Sequence, residues 1–140
     1  PALDDPRLAN EDLGTWLLVP VPLHWWRQMR RQFNQSWELC RELSARTGIP
    51  AAQVLKRRHH TTAQARLSRK KRLANLRGGF ALRQPSFLPL SGRQKPGLKG
   101  KKVLLVDDVL TTGSTTHECA RVLRREGGVQ KVVVITVARG

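Results

Sequence analysis

Acidic residues are scarce in this chain: its 140 residues hold 10 Asp and Glu against 26 Lys and Arg, and no acid falls between Leu43 and Val106. The formal net charge of +16 points to polyanions as partners, either nucleic acid or phosphorylated small molecules. Cysteine is nearly absent as well. Cys40 and Cys119 lie far apart and lack CxxC spacing, so they suggest neither a disulfide framework nor a zinc site. Two buried, reduced thiols are expected instead. The longest apolar run, residues 132–138, is far too short to span a bilayer. No basic-then-apolar leader opens the chain, so nothing signals secretion and a cytoplasmic location is expected. The first residue is Pro1 rather than Met, which reads as a fragment or a processed chain. A GxxxxGK[ST] P-loop is missing too, as are internal repeats and low-complexity tracts.

The length suits one ordinary domain with a single sizeable core. Residues 1–14 are polar and aperiodic, an expected tail or fragment edge, and residues 15–140 form the expected domain. Residues 15–21 read as a buried strand that stops at Pro20 and Pro22. Trp26, Met29, Phe33, Trp37, Cys40 and Leu43 then recur in steps of three and four, the stripe of a helix that Gly48 and Pro50 end. Trp25 falls off that stripe and is the freer residue for contact. A short strand is expected at Val54-Leu55 and another over 79–82, with a loop over 85–100 rich in Pro and Gly. The segment between the short strands is basic: Lys56, Arg57, Arg58, Arg66, Arg69, Lys70, Lys71, Arg72 and Arg77. It is either a solvated face or a surface that neutralises phosphates.

The last third is the most informative. Residues 102–106 form an apolar strand of the kind buried on both faces. A loop follows, then a helix over about 115–126 with Thr115 and Glu118 at capping-box spacing and Gly127-Gly128 as its stop. Residues 132–137 form another buried strand, which completes a βαβ unit and predicts a mostly parallel sheet flanked by helices. Within it the run Val103-Leu104-Leu105-Val106-Asp107-Asp108-Val109-Leu110-Thr111-Thr112-Gly113-Ser114-Thr115-Thr116 carries the chemistry. Two adjacent carboxylates are costly to bury, so they must meet water, hydroxyl donors or a cation where the strand leaves the sheet. The turn after them is built of small hydroxyl residues and Gly113, and it feeds a helix N-terminus whose N–H groups and dipole favour a phosphate. One end wants hydroxyls and the other wants phosphate. A ribose 5-phosphate compound supplies both. Paired acids after an apolar strand also open response-regulator receivers, but the 32 residues after Asp108 are too few for the rest of that layout.

This run resembles the signature by which type I phosphoribosyltransferases bind phosphoribosyl diphosphate (PRPP). In that family the acidic pair holds the ribose 2′ and 3′ hydroxyls and the following loop holds the 5′-phosphate. The resemblance therefore assigns Asp107 and Asp108 to the diol, as the catalytic pair, and Thr111, Thr112, Gly113, Ser114 and Thr115 to the phosphate. The rest of the chain looks like the ComF/GntX family, proteins linked to competence, DNA uptake and use of DNA as a nutrient. The residues that carry this likeness are Val19-Pro20-Val21-Pro22-Leu23-His24, Phe33-Asn34-Gln35-Ser36, Thr61, Gln64, Leu67, Arg72, Asn75 and Gly79-Phe80. By position Arg27, Arg30 and Arg31 would face the diphosphate, and the basic segment 57–77 would correspond to a hood over the site. Two places depart from the pattern: Gln32 stands where the family has Gly, and Trp25-Trp26 stand where Pro and Arg are frequent. Full-length relatives open with a Cys-rich zinc-binding segment; this chain has none, and no zinc is expected of it.

The resemblance implies a type I phosphoribosyltransferase-like, Rossmann-like α/β fold, with Mg²⁺ bound alongside PRPP and no metal ligand supplied by the protein. If the domain is catalytic, the reaction is phosphoribosyl transfer with loss of pyrophosphate, driven by positioning and charge stabilisation. The alternative is a non-catalytic protein that handles single-stranded DNA and keeps the fold as scaffold or ligand sensor. Its nucleic-acid candidates are Arg57, Arg58, Arg69, Lys70, Lys71 and Arg72, and proteins of the competence machinery are expected partners.

Overall fold

Two apolar stretches, around Leu17 and around Leu104, bury both faces when they extend as strands, so they belong side by side in the middle of a sheet. A computed structural model describing residues 6, 12–22, 34–58, 78–83, 97–110 and 113–139 places them there. In chain order its elements are β1 (Trp16–Pro20), α1 (Gln35–Thr47), β2 (Leu55–Arg57), β3 (Phe80–Leu82), β4 (Lys102–Leu110), α2 (Ser114–Arg125) and β5 (Lys131–Arg139). β4 is flanked by β1 and β5, both parallel to it. Pro50, Ala51 and Ala52 run along the outer side of β1, where Leu18 N–H donates to the Pro50 carbonyl at 2.8 Å and Ala52 N–H to the Leu18 carbonyl at 3.0 Å. The mostly parallel sheet flanked by helices is the expected fold class.

Alternation along the strands divides the core in two. Leu17, Val19, Val103 and Leu105 point to one face, under Cys119, Val122 and Leu123 of α2 and the antiparallel β2–β3 pair. Trp16, Leu18, Leu104 and Val106 point to the other, against Cys40 of α1 and Ile49. Leu17, Leu18, Leu104 and Leu105 are all essentially inaccessible to solvent, and burying each is worth about 1.5–3 kcal/mol. The two thiols thus sit on opposite faces of the sheet and are unpaired. Burial pushes each up to about 12, so neither is a thiolate near neutrality. A thiol reagent is expected to leave both unmodified in the native protein and to label both after denaturation. Fast native labelling of either would contradict this packing.

Several boundaries differ from the sequence expectation, for physical reasons. α1 starts at Gln35 rather than near Trp26, because Asn34 caps it: its Oδ1 accepts from Ser36 N–H at 3.0 Å and its Nδ2 donates to the Val21 carbonyl at 3.2 Å. The upstream part of the stripe, together with Trp25, lies outside the described residues. β2 sits one residue further on than Val54-Leu55 and extends to Arg57. β4 does not stop at Val106 but runs on to Leu110, because β5 keeps pairing with it after β1 has ended. β5 is not uniformly buried: Val133 is, while Val137 is 70% exposed. Thr115 and Glu118 form no capping box. Gly113 takes the cap position with φ 79°, and Glu118 turns inward.

Candidate functional site

β1 reaches the end of its ladder at Pro20, opposite Val106, with a last hydrogen bond from Val21 N–H to the Val106 carbonyl at 2.9 Å. The next β4 residues, Asp107 and Asp108, therefore stand beyond the three-stranded part of the sheet, with only β5 alongside: Asp107 lies opposite Thr136. Both side chains are half-buried at this carboxyl edge. Strand alternation sends them to opposite faces. Asp107 belongs to the α2 face, where its charge is felt by Arg57 and Cys119. Asp108 belongs to the α1 face, where it lines a cleft of about 710 Å³ with Gln35, Glu38, Leu39 and Val137. A group laid against the edge of β4 that β1 leaves open past Val106 has a carboxylate on each side of it. Open α/β sheets bind ligands at this edge.

Downstream of the acids the chain turns into α2 at Gly113, whose left-handed backbone (φ 79°) only glycine adopts without strain. The Gly113 carbonyl accepts from Thr116 Oγ1 at 2.9 Å and from His117 N–H at 2.8 Å, which fixes the first turn of the helix. Gly113 has no side chain to cap α2, so the first-turn N–H groups rely on other partners. Ser114 and Thr115 are half-buried beside them. Gly113→Ala is expected to cost about 1 kcal/mol of stability through the left-handed conformation alone, read as a lower melting temperature. An unchanged melting temperature would show that the turn relaxes.

Of the remaining expected site residues, Thr111 and Thr112, the diphosphate candidates Arg27, Arg30 and Arg31, and Arg69, Lys70, Lys71 and Arg72 lie outside the described residues. Arg58 is exposed. Arg57 is placed differently from a solvated basic face: it is half-buried, with its guanidinium 4.6 Å from the centre of the Phe80 ring. Burial lowers its pKa, while Cys119 and Asp107 act to raise it. Its Nε is buried without a hydrogen-bond partner. A cation held on the Asp107 side of the edge escaped sequence reading, because its position depends on Phe80, a strand away.

Glu118 is another residue that sequence reading misassigned. It is 4% exposed, and its carboxylate accepts from Gly78 N–H at 3.1 Å and from Arg121 Nε at 2.9 Å and Nη2. The Arg121 guanidinium, before all else, holds the Glu118 carboxyl below the ordinary glutamate range. This ties α2 to the residue that leads into β3. Among the described residues no group of His, Cys, Asp and Glu could hold a metal ion alone.

Residues 34–140 match the family model described as phosphoribosyl transferase domain. The chain belongs to that family. β1 lies upstream of the matched stretch but is hydrogen-bonded into the same sheet. Competence protein F of Haemophilus influenzae is 40% identical over 123 residues, 87% of this chain and 49% of that protein. The DNA utilization protein YhgH of Salmonella typhimurium is 38% identical over 129 residues, 89% of this chain and 52% of that protein. These relatives bear out the likeness to the ComF/GntX family, and the chain spans about half their length. Among solved structures, the phosphoribosylpyrophosphate synthetase of Mycobacterium smegmatis shares the fold, with a TM-score of 0.50 at 16% identity over 90% of this chain and 28% of that one.

Proposed function

We propose that this domain binds PRPP at the carboxyl edge of β4, within a phosphoribosyltransferase-like protein that serves DNA uptake or utilisation. The observation that carries the reading is the acidic pair standing past the last β1 contact, one carboxylate on each face, with the Gly113 turn and the start of α2 following directly. Asp107 and Asp108 accept hydrogen bonds from the ribose 2′ and 3′ hydroxyls. The turn formed by Thr111, Thr112, Gly113, Ser114 and Thr115 receives the 5′-phosphate through amides, hydroxyls and the helix dipole. Arg27, Arg30 and Arg31, which follow β1 in the sequence and lie outside the described residues, are the candidates for the diphosphate. The relatives' names, competence protein F and DNA utilization protein, support the reading of a role in DNA uptake or utilisation, and partners from the competence machinery are part of this proposal.

Mg²⁺ fits this arrangement. Among the described residues no group of His, Cys, Asp and Glu could hold the ion alone, which suits a cation that would arrive with PRPP, held by its diphosphate and by water. When bound it would neutralise charge on the departing pyrophosphate. The chain's own residues orient the ribose and hold its phosphate. No helix among the described residues is long and apolar enough to cross a membrane. The two unpaired thiols suit the reducing cytoplasm where we place the protein.

Calorimetric titration with PRPP and Mg²⁺ tests the reading: saturable binding at one site is expected, and its absence would refute it. Pyrophosphate release in the presence of candidate acceptors separates a transferase from a ligand sensor. The non-catalytic alternative predicts binding without turnover.

A further inference from the structure

A second recess opens on the α2 face of the sheet, and neither acid of the pair lines it. It measures about 500 Å³ and runs from Gly113 along α2 to the helix end. Its wall is basic: His117, Arg121, Arg124 and Arg125 follow steps of three and four, so they share one side of the helix. Its floor is apolar, formed by Val132 and Val134, alternate residues of β5 that α2 leaves half-covered. Arg124 and Arg125 are exposed and have no ion-pair partner among the described residues. Arg121 is held by the buried Glu118 through Nε and Nη2, which directs the rest of its guanidinium outward. The dipole at the C-terminus of α2 welcomes the two terminal arginines but does not account for the recess or its valine floor.

We propose that this groove is a track for single-stranded nucleic acid, which meets the proposed ribose-phosphate site only at Gly113 and runs from there along α2. A cationic wall over an apolar floor matches a chain with anionic links and flat apolar rings. Arg121 and Arg125 are about 6 Å apart along the helix, of the order of the spacing between phosphates in an extended strand. A duplex hides the faces of its bases, whereas an unpaired strand turns them toward Val132 and Val134. The volume accommodates a short stretch, so the groove contributes part of a longer path. The chain's charge of +16 favours such a partner at long range, and the groove localises it.

The test is fluorescence anisotropy with a labelled oligothymidylate. The parent protein should bind it with a steep salt dependence. Arg124→Glu/Arg125→Glu should weaken binding at least about tenfold and lower the salt slope by about 1.4, for two lost phosphate contacts on a single strand. Both positions are solvent-facing, so the fold should persist, with a melting temperature lowered by only a few degrees through the helix dipole. Arg124→Gln/Arg125→Gln, which adds no negative charge there, should keep it closer to the parent and show the same loss of binding in milder form. PRPP titration of the same variants should be unchanged, which keeps this result separate from the ribose-phosphate reading. The charge-matched reversal Arg41→Glu/Arg46→Glu, on exposed α1 positions across the sheet, should have a smaller effect. An equal loss there, an unchanged salt slope in the α2 variant, or an abasic strand that binds as tightly as thymidylate would each overturn the proposal.

Discussion

Replacing both acids, Asp107→Asn/Asp108→Asn, is expected to weaken PRPP binding by about 10²–10⁴-fold. Each carboxylate accepts a hydroxyl hydrogen bond as a charged group, a contact worth about 1.5–3 kcal/mol. Asparagine keeps the size and one acceptor oxygen but gives up the charge, so the fold is preserved and the loss is electrostatic. Because the two side chains reach the edge from opposite faces of β4, the single variants should each lose part of the affinity, about 10–100-fold. A comparison of ribose 5-phosphate with 2-deoxyribose 5-phosphate isolates the diol. The parent should discriminate between them, and the double variant should not. Calorimetry measures both effects. Undiminished PRPP affinity in the double variant would remove the basis of the proposed site.

The part of this site legible in the sequence is the part that is local in the chain. An apolar run, two acids, a small hydroxyl-rich turn and a helix start are consecutive, so their order alone carries the chemistry. The fold class is legible for the same reason, since β4, α2 and β5 form one unbroken βαβ unit. What failed depends on distant residues. The continuation of β4 past Val106 is set by β5, which offers Thr136 to Asp107 and Ala138 to Val109, and no periodicity in β4 itself reports that partner. The start of α1 was masked by an apolar stripe that runs through Asn34, although an Asn followed by Gln-Ser-Trp-Glu carries a cap signal. Arg57 read as one of many surface cations because its burial depends on Phe80, across the β2–β3 pair. The arginine row of α2 was legible as spacing, but its meaning came from the half-covered valines of β5.

Glu118 shows most clearly how a local pattern gives way to a long-range contact, and its removal should have the next largest effect. At capping-box spacing from Thr115 it reads as a helix-start residue, and Glu118→Ala would then cost little. In the fold it is buried, and it joins Gly78 to α2 across 40 residues of sequence. Glu118→Ala leaves the Gly78 amide without its acceptor and Arg121 without its partner. The expected cost is about 2 kcal/mol, kept modest because Arg121 still reaches water. That corresponds to a fall of roughly 5–10 °C in melting temperature. Glu118→Gln retains an acceptor for Gly78 and should lose less. The pH dependence follows from the depressed carboxyl. The unfolded chain takes up the proton first on acidification, so the Glu118 contribution is fully present above the ordinary glutamate range. It is lost as pH falls through the folded-state value. Denaturant melts of parent and Ala variant should therefore differ by a constant amount at neutral pH and converge in acid. A gap that persists in acid would mean that packing, rather than the charged bonds to Arg121 and Gly78, holds this end of β3 to α2.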